Sequence, residues 1–299
     1  VSTIDYSALT APCNRKEAVA LGAHLRYTVP TRPRYEGPGV FIDIFGGITF
    51  GLFTLMMVGV FIGTSLQAAA GDSDMVVVAV ITFFSAVGGG AFTYWLMHRY
   101  FRMTGGDELW WRLDRFAAAN GMVFSPWSPE PDYPSAMFET GTGVAAYNHI
   151  RREGERFIDI GNLHFQTGTV GMETIDNRRG FVAIHLRESW PAALLDAKDN
   201  DGVMGNGLPL ALAGTSRLKL TVPGADRFML WGTLTGDLPQ LKKLFTAELI
   251  AALNGAAGVY DVHVVDDWLF LYSRKEFDMA SPAQLRELFG LIEVVQRIA

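Results

Sequence analysis

The chain has a single cysteine, Cys13, in 299 residues. An intramolecular disulfide is therefore impossible, and a cluster of thiolate metal ligands is excluded with it. Histidine supplies no substitute. The six histidines, His24, His98, His149, His164, His185 and His263, contain no pair at helical ligand spacing and no His-Glu-x-x-His. Also missing are a phosphate loop of the Gly-x-x-x-x-Gly-Lys-Ser/Thr type, a Gly-x-Gly-x-x-Gly turn between strand and helix, and a Gly-x-Ser-x-Gly elbow. Neither a cofactor nor a metal is expected. Positive charge is in short supply too, with 25 Lys and Arg against 31 Asp and Glu. A net charge of −6 gives no basic face for nucleic acid.

Charge is missing altogether from two long runs, Ile44–Leu66 and Met75–Met97, each of 23 residues. At about 1.5 Å per residue each helix would cover roughly 34 Å, enough for a hydrocarbon core of about 30 Å. In lipid the backbone must satisfy its own hydrogen bonds, so both are expected to be helical despite their glycines. The connection Gln67–Asp74 allows only a tight hairpin. It carries Asp72 and Asp74 and no Lys or Arg, whereas Arg32, Arg34, His98, Arg99 and Arg102 flank the other ends. That asymmetry predicts an acidic tip outside a plasma membrane and both termini in the cytoplasm. The lipid bilayer is then the first partner. Neither run has an ionisable residue in its interior, so a proton relay or ion site is not expected there. Small residues at spacing four, such as Gly47 and Gly51, Gly59 and Gly63, and Ser85 and Gly89, suit close helix approach. Two readings stay open: packing within the hairpin, or a homodimer through the glycine-rich spans.

Three regions follow. Residues 1–38, polar with prolines at Pro30, Pro33 and Pro38, read as a flexible cytoplasmic tail with a short helix over Arg15–Leu25 and no cleavable signal. Residues 39–103 form the hairpin, and 104–299 a cytoplasmic domain. That domain opens on an amphipathic helix ending at Asn120-Gly121. Its Trp110 and Trp111 either lie among lipid headgroups or pack on the domain. Strands are expected over Val144–Arg152 and Arg156–Gly161 as a hairpin, then Leu163–Gln166, Gly180–Leu186, Leu218–Val222 and Arg227–Trp231. A second hairpin is expected over Tyr260–Val265 and Trp268–Tyr272, turning at Asp266-Asp267. Thr246 caps a helix over Ala247–Asn254. Ser281, Pro282 and Gln284 start a last helix with a stripe of Leu285, Leu288, Phe289, Ile292 and Val295. The fold class is α+β, with a largely antiparallel sheet and a C-terminal helix behind the hairpin.

Few residues stand out as chemical. His164 and His185 fall on expected strands, where they are placed to meet across a sheet. With Asn162 and the aspartates near Asp199 they are the candidate members of a site assembled without a motif. The run DAKDNDGVMGNG resembles a calcium loop only in composition: aligning Gly202 with its sixth position puts Ala197 first and Leu208 twelfth, where carboxylates are needed. It is read as a turn.

The segments FAAANGMVFSP, FIDIGNLHFQTGTVG, LLDAKDN and FTAELIAALNGAAGVYDVHVVDDWLFLYS resemble those of an uncharacterised, mainly actinobacterial family of membrane proteins. These have two spans followed by a cytoplasmic domain. The likeness covers roughly residues 40–299. It implies a bacterial plasma-membrane location and supplies no catalytic or ligand-binding residue. The expected function is a membrane-anchored binding or scaffold module with a ligand or protein partner. Two alternatives stand beside it, a membrane-bound enzyme and an accessory subunit of a larger membrane complex.

Overall fold

The computed structural model describes residues 4–28, 38–103, 106–168, 175–200, 215–233 and 235–299. Arg32 and Arg34, the start of the amphipathic segment at Thr104, and the turn-rich run from Asp201 lie outside the described residues. In chain order the elements are α1 (Ser7–Thr10), α2 (Arg15–Thr28), α3 (Pro38–Ala69), α4 (Asp74–Met103), α5 (Asp107–Ala119), β1 (Val123–Pro129), α6 (Ala136–Glu139), β2 (Thr142–Arg152), β3 (Ile158–Thr167), β4 (Ile175–Ala197), β5 (Ser216–Leu218), β6 (Phe228–Gly232), α7 (Leu238–Leu244), α8 (Ala247–Gly255), β7 (Tyr260–Ser273) and α9 (Pro282–Ile298). The chain divides into two compact units, residues 32–107 and residues 1–31 with 108–299.

The first unit is a hairpin of α3 and α4, both long and apolar enough to cross a membrane. Their side chains face outward: Leu52, Leu55 and Phe84 are 63%, 70% and 68% exposed. A core helix of a soluble protein buries such a surface. The helices meet through small residues. A Cβ on Gly89 would stand 2.6 Å from Thr54 Oγ1, and Phe50 packs on Phe92 at 4.7 Å. Gly59 and Gly63 have nothing within 4 Å of a Cβ position, so they do not contribute to this contact. The tip turns at Gly71, whose φ of 105° suits a residue without a Cβ.

Among the described residues of the second unit, seven strands form one sheet in the order β1-β2-β3-β4-β6-β5, with β7 also paired to β4. Every pairing is antiparallel. Period-two alternation sorts the strand residues onto two faces. Val182, Ile184, Leu269 and Leu271 lie in a large core shared with α5, α7, α8 and α9. Phe181, Ala183, Phe270 and Tyr272 lie in a second, aromatic core covered by Met137 and Phe138 of α6. Thr246 and Ser281 cap α8 and α9 as expected, each accepting from a backbone N–H three residues on.

Three expectations change. Leu163–Gln166 is not a separate strand, because β3 runs unbroken through Gly161. Asp266-Asp267 does not join two strands of a hairpin either. Both arms of β7 pair with β4, and the ribbon they make turns a corner at Asp266, where φ is +51°. The corner is sharp: the rings of His263 and Phe270 lie 6.3 Å apart on one strand, whereas seven extended residues would span about 23 Å. On β4 the register slips between His185 and Trp190, which gives the outer strand its longer path.

The third change is at the N-terminus. Residues 4–28 do not form a free tail; they pack into the same unit as the sheet. Leu9 is 2% exposed within the large core. Tyr6 packs on Phe116 at 5.7 Å and on Phe289 at 6.4 Å, with the Arg286 guanidinium 4.8 Å from its ring centre. Glu17 accepts from Trp111 Nε1 at 3.2 Å and from Arg115 at 2.6 Å. Trp110 and Trp111 are both buried, and Trp110 donates to Asn148 at 3.0 Å, so these indoles pack on the domain.

Candidate functional site

The four residues singled out in the sequence do not share a set of partners. Asn162 is buried, and its amide clasps one backbone residue, accepting from Phe277 N–H at 2.6 Å and donating to Phe277 O at 3.1 Å. His164 lies 3.4 Å from Asp176 Oδ1 and 3.3 Å from Gly143 O. His185 sits at the ribbon corner, 2.8 Å from Asp267, with Trp268 edge-on. Asp199 is paired with Arg227 on the surface. Asn162 is a backbone clamp, and the other three have separate side-chain partners.

A different group converges. His149 Nδ1 lies 2.8 Å from Asp159 Oδ1, and His149 Nε2 lies 2.8 Å from Ser128 Oγ. Tyr133 donates to the second carboxylate oxygen, Asp159 Oδ2, at 2.6 Å, and Ser125 Oγ is 3.2 Å from Ser128 Oγ. His149 and Asp159 are 2% and 1% exposed, whereas Ser128 and Ser125 are partly exposed on the edge strand β1. Burial, reinforced by the charge of Asp159, pushes the Tyr133 phenol well above its ordinary range. It therefore stays a donor to the carboxylate. With Asp159 accepting, the imidazole proton belongs on Nδ1, and Nε2 is left to accept from Ser128 Oγ–H.

A bulge puts His149 there. Strict alternation from Ala146, in the aromatic core, would send residue 149 to the opposite face. The β2–β3 register carries one extra residue between Tyr147 and Ile150, and Asn148 takes it up with a φ of +47°. His149 consequently turns toward Asp159, over Gly161. A Cβ on Gly161 would lie 2.2 Å from His149 Cβ and 2.7 Å from its Cα, so this position has to be glycine. The bond from Trp110 to Asn148 fixes the bulge from the helix side.

Two other features stand apart from this group. Ser135 Oγ, fully buried, accepts from Tyr272 O–H at 2.7 Å and lies 3.0 Å from His263 Nδ1. Burial holds the His263 pKa down at about 4. Beside β5 and β6 a cavity of about 490 Å³ has an apolar floor including Leu195, Leu218 and Leu230, and a rim with Lys198, Arg217, Lys219 and Asp226. Among the described residues no group of three or more His, Cys, Asp or Glu is arranged to hold a metal.

No protein-family model and no curated protein matches the chain. Among solved structures it is similar to the crystal structure of the mycobacterial trehalose monomycolate transport factor A, TtfA. The identity is 12% and the TM-score 0.40, over 64% of this chain and 96% of that one. At that level the likeness bears on neither mechanism nor ligand.

Proposed function

We propose that the chain is a membrane-anchored binding module. In this reading α3 and α4 cross a bacterial plasma membrane with their acidic tip outside, and the unit built from residues 4–28 and the sheet faces the cytoplasm. One observation carries it. Segments on both sides of the hairpin pack into one compact unit, which supports helices that enter and leave the bilayer on the same side. Two spans with every flanking Lys and Arg away from the tip give that arrangement. The outward-facing apolar side chains of the hairpin agree with lipid as their solvent. The cavity beside β5 and β6, apolar below and charged at the rim, offers a small ligand a place.

Reporter fusions at Asp72 and at Ala299 test the topology, with outside expected for the first and inside for the second. The same side for both would sink the proposal. Pull-down of the tagged full chain from its native membrane tests the binding role. A co-purifying ligand or substoichiometric protein supports it. A constant set of membrane proteins in fixed ratio would make the chain an accessory subunit instead.

A further inference from the structure

Buried ionic networks are expensive, and the one on β1–β3 is built with particular care. A carboxylate taken out of water is stable only when fully paired, and an aromatic core lies next to this one. The bulge that turns His149 inward places a non-glycine residue at positive φ, and Gly161 leaves the space His149 needs. What results is an ordered relay. Its carboxylate end is sealed by Tyr133, its imidazole is buried, and its hydroxyl end reaches solvent at a sheet edge. Both links measure 2.8 Å, within the range of a nucleophile held by its base and a base oriented by its carboxylate.

We infer that Ser128 is the nucleophile, and His149 the general base, of an esterase site acting on carboxylic esters, with Asp159 as the residue that positions His149. Ser128 Oγ attacks the acyl carbon while its proton passes to His149 Nε2. The bond from that carbon to the alcohol oxygen breaks, and the alcohol leaves with the proton from His149. Water then adds to the acyl group on Ser128, giving one proton to His149. The acyl–Oγ bond breaks, the carboxylic acid departs, and Ser128 Oγ takes the proton back. No oxidant or further reactant is required. Ser125 Oγ, which donates to Trp127 O at 3.2 Å and lies 3.2 Å from Ser128 Oγ, helps to hold the Ser128 hydroxyl in place. This inference concerns the sheet edge alone and stands or falls separately from the membrane topology.

The test uses the full-length chain in detergent and a fluorophosphonate probe, which reacts with activated serine hydroxyls. Labelling of the wild type is expected, with the adduct mapped to Ser128 by mass spectrometry. S128A should abolish it, and H149Q and D159N should slow it at least 100-fold. S125A should slow it less, and S189A, at an exposed position of β4 away from the relay, should leave it unchanged. Thermal unfolding of each variant is measured in parallel. A D159N chain that keeps the wild-type melting midpoint and loses labelling supports a relay. A folded wild type that does not label overturns the inference, as does S128A labelling at the wild-type rate. A network that only holds the strands together would give one of those two results.

Discussion

Asn120 and Asp5, separated by 115 positions, bind each other in both directions: Asp5 N–H donates to Asn120 Oδ1 at 2.7 Å, and Asn120 Nδ2 donates to Asp5 O at 2.9 Å. The same Asn120 side chain donates to Phe116 O at 2.8 Å and so closes the end of α5. The helix stop and the docking of the N-terminal segment are therefore one structure. Around it, Leu9 and Tyr6 fill the gap between α5 and α9.

Leu9→Ala tests that docking. Truncating a leucine that is 2% exposed should destabilise the unit by about 2–5 kcal/mol. Limited proteolysis of the full chain should then release fragments cut within residues 4–28 before any cut in the sheet. Wild-type protection would show that the segment is not needed for closure.

Gly161→Ala should be among the most damaging single changes. The added methyl would overlap the His149 Cβ and backbone, and neither is the free end of a flexible chain. Overpacking of this kind costs about 1–3 kcal/mol or more. A chemical melt of the variant would check it, and loss of Ser128 labelling is expected to accompany the lower midpoint.

Asn162→Leu separates the clamp from a chemical role. Two buried backbone groups of Phe277 would lose their partners, each worth about 1–3 kcal/mol. Stability should fall by that order while Ser128 reactivity at 15 °C, below the new melting range, stays close to wild type. Abolished reactivity in a folded N162L chain would return Asn162 to the site.

Acid should weaken the domain through His263. Its folded pKa of about 4 lies below the unfolded value of about 6.5, so the unfolded state binds the proton first. The stability tied to the neutral ring is complete above pH 6.5 and declines as pH falls toward 4. The loss is up to about 3 kcal/mol, from ~1.4 kcal/mol per unit. Unfolding midpoints measured from pH 7.5 to 4 should show that slope, and H263Q should flatten it.

Much of the architecture was legible in the sequence because it rests on local rules. Uncharged runs gave the two long helices, and caps at Thr246 and Ser281 fixed the starts of α8 and α9. The site was hidden for the opposite reason. Pro126 and Pro129 bracket Ser128, and prolines within a run argue against a strand, so β1 was not expected. His149 lies on a strand that was expected, but alternation assigns it to the wrong face. Only the extra residue at Asn148, a pairing irregularity with no sequence signature of its own, turns it toward Asp159. His164 and His185 drew attention as strand histidines, yet each is matched to a carboxylate of its own. The corner at Asp266 was legible as a turn, but not the fact that β4 follows β7 around it, since that depends on a partner about 80 residues earlier in a continuous ladder.

The packing of Tyr6 against Phe289 and Arg286 also sets an order of events during synthesis. Residues 4–28 leave the ribosome before both long helices and before the strands described, yet part of the surface that receives them belongs to α9, which is made after those strands. Their contacts with α5 can form as soon as that helix is made, but the cover of Tyr6 is complete only when α9 is in place. A chain truncated ahead of α9 would leave Tyr6 without its contacts to Phe289 and Arg286, an apolar flag for proteases and chaperones. In this fold a segment translated ahead of the hairpin depends, for part of its cover, on one translated after the sheet.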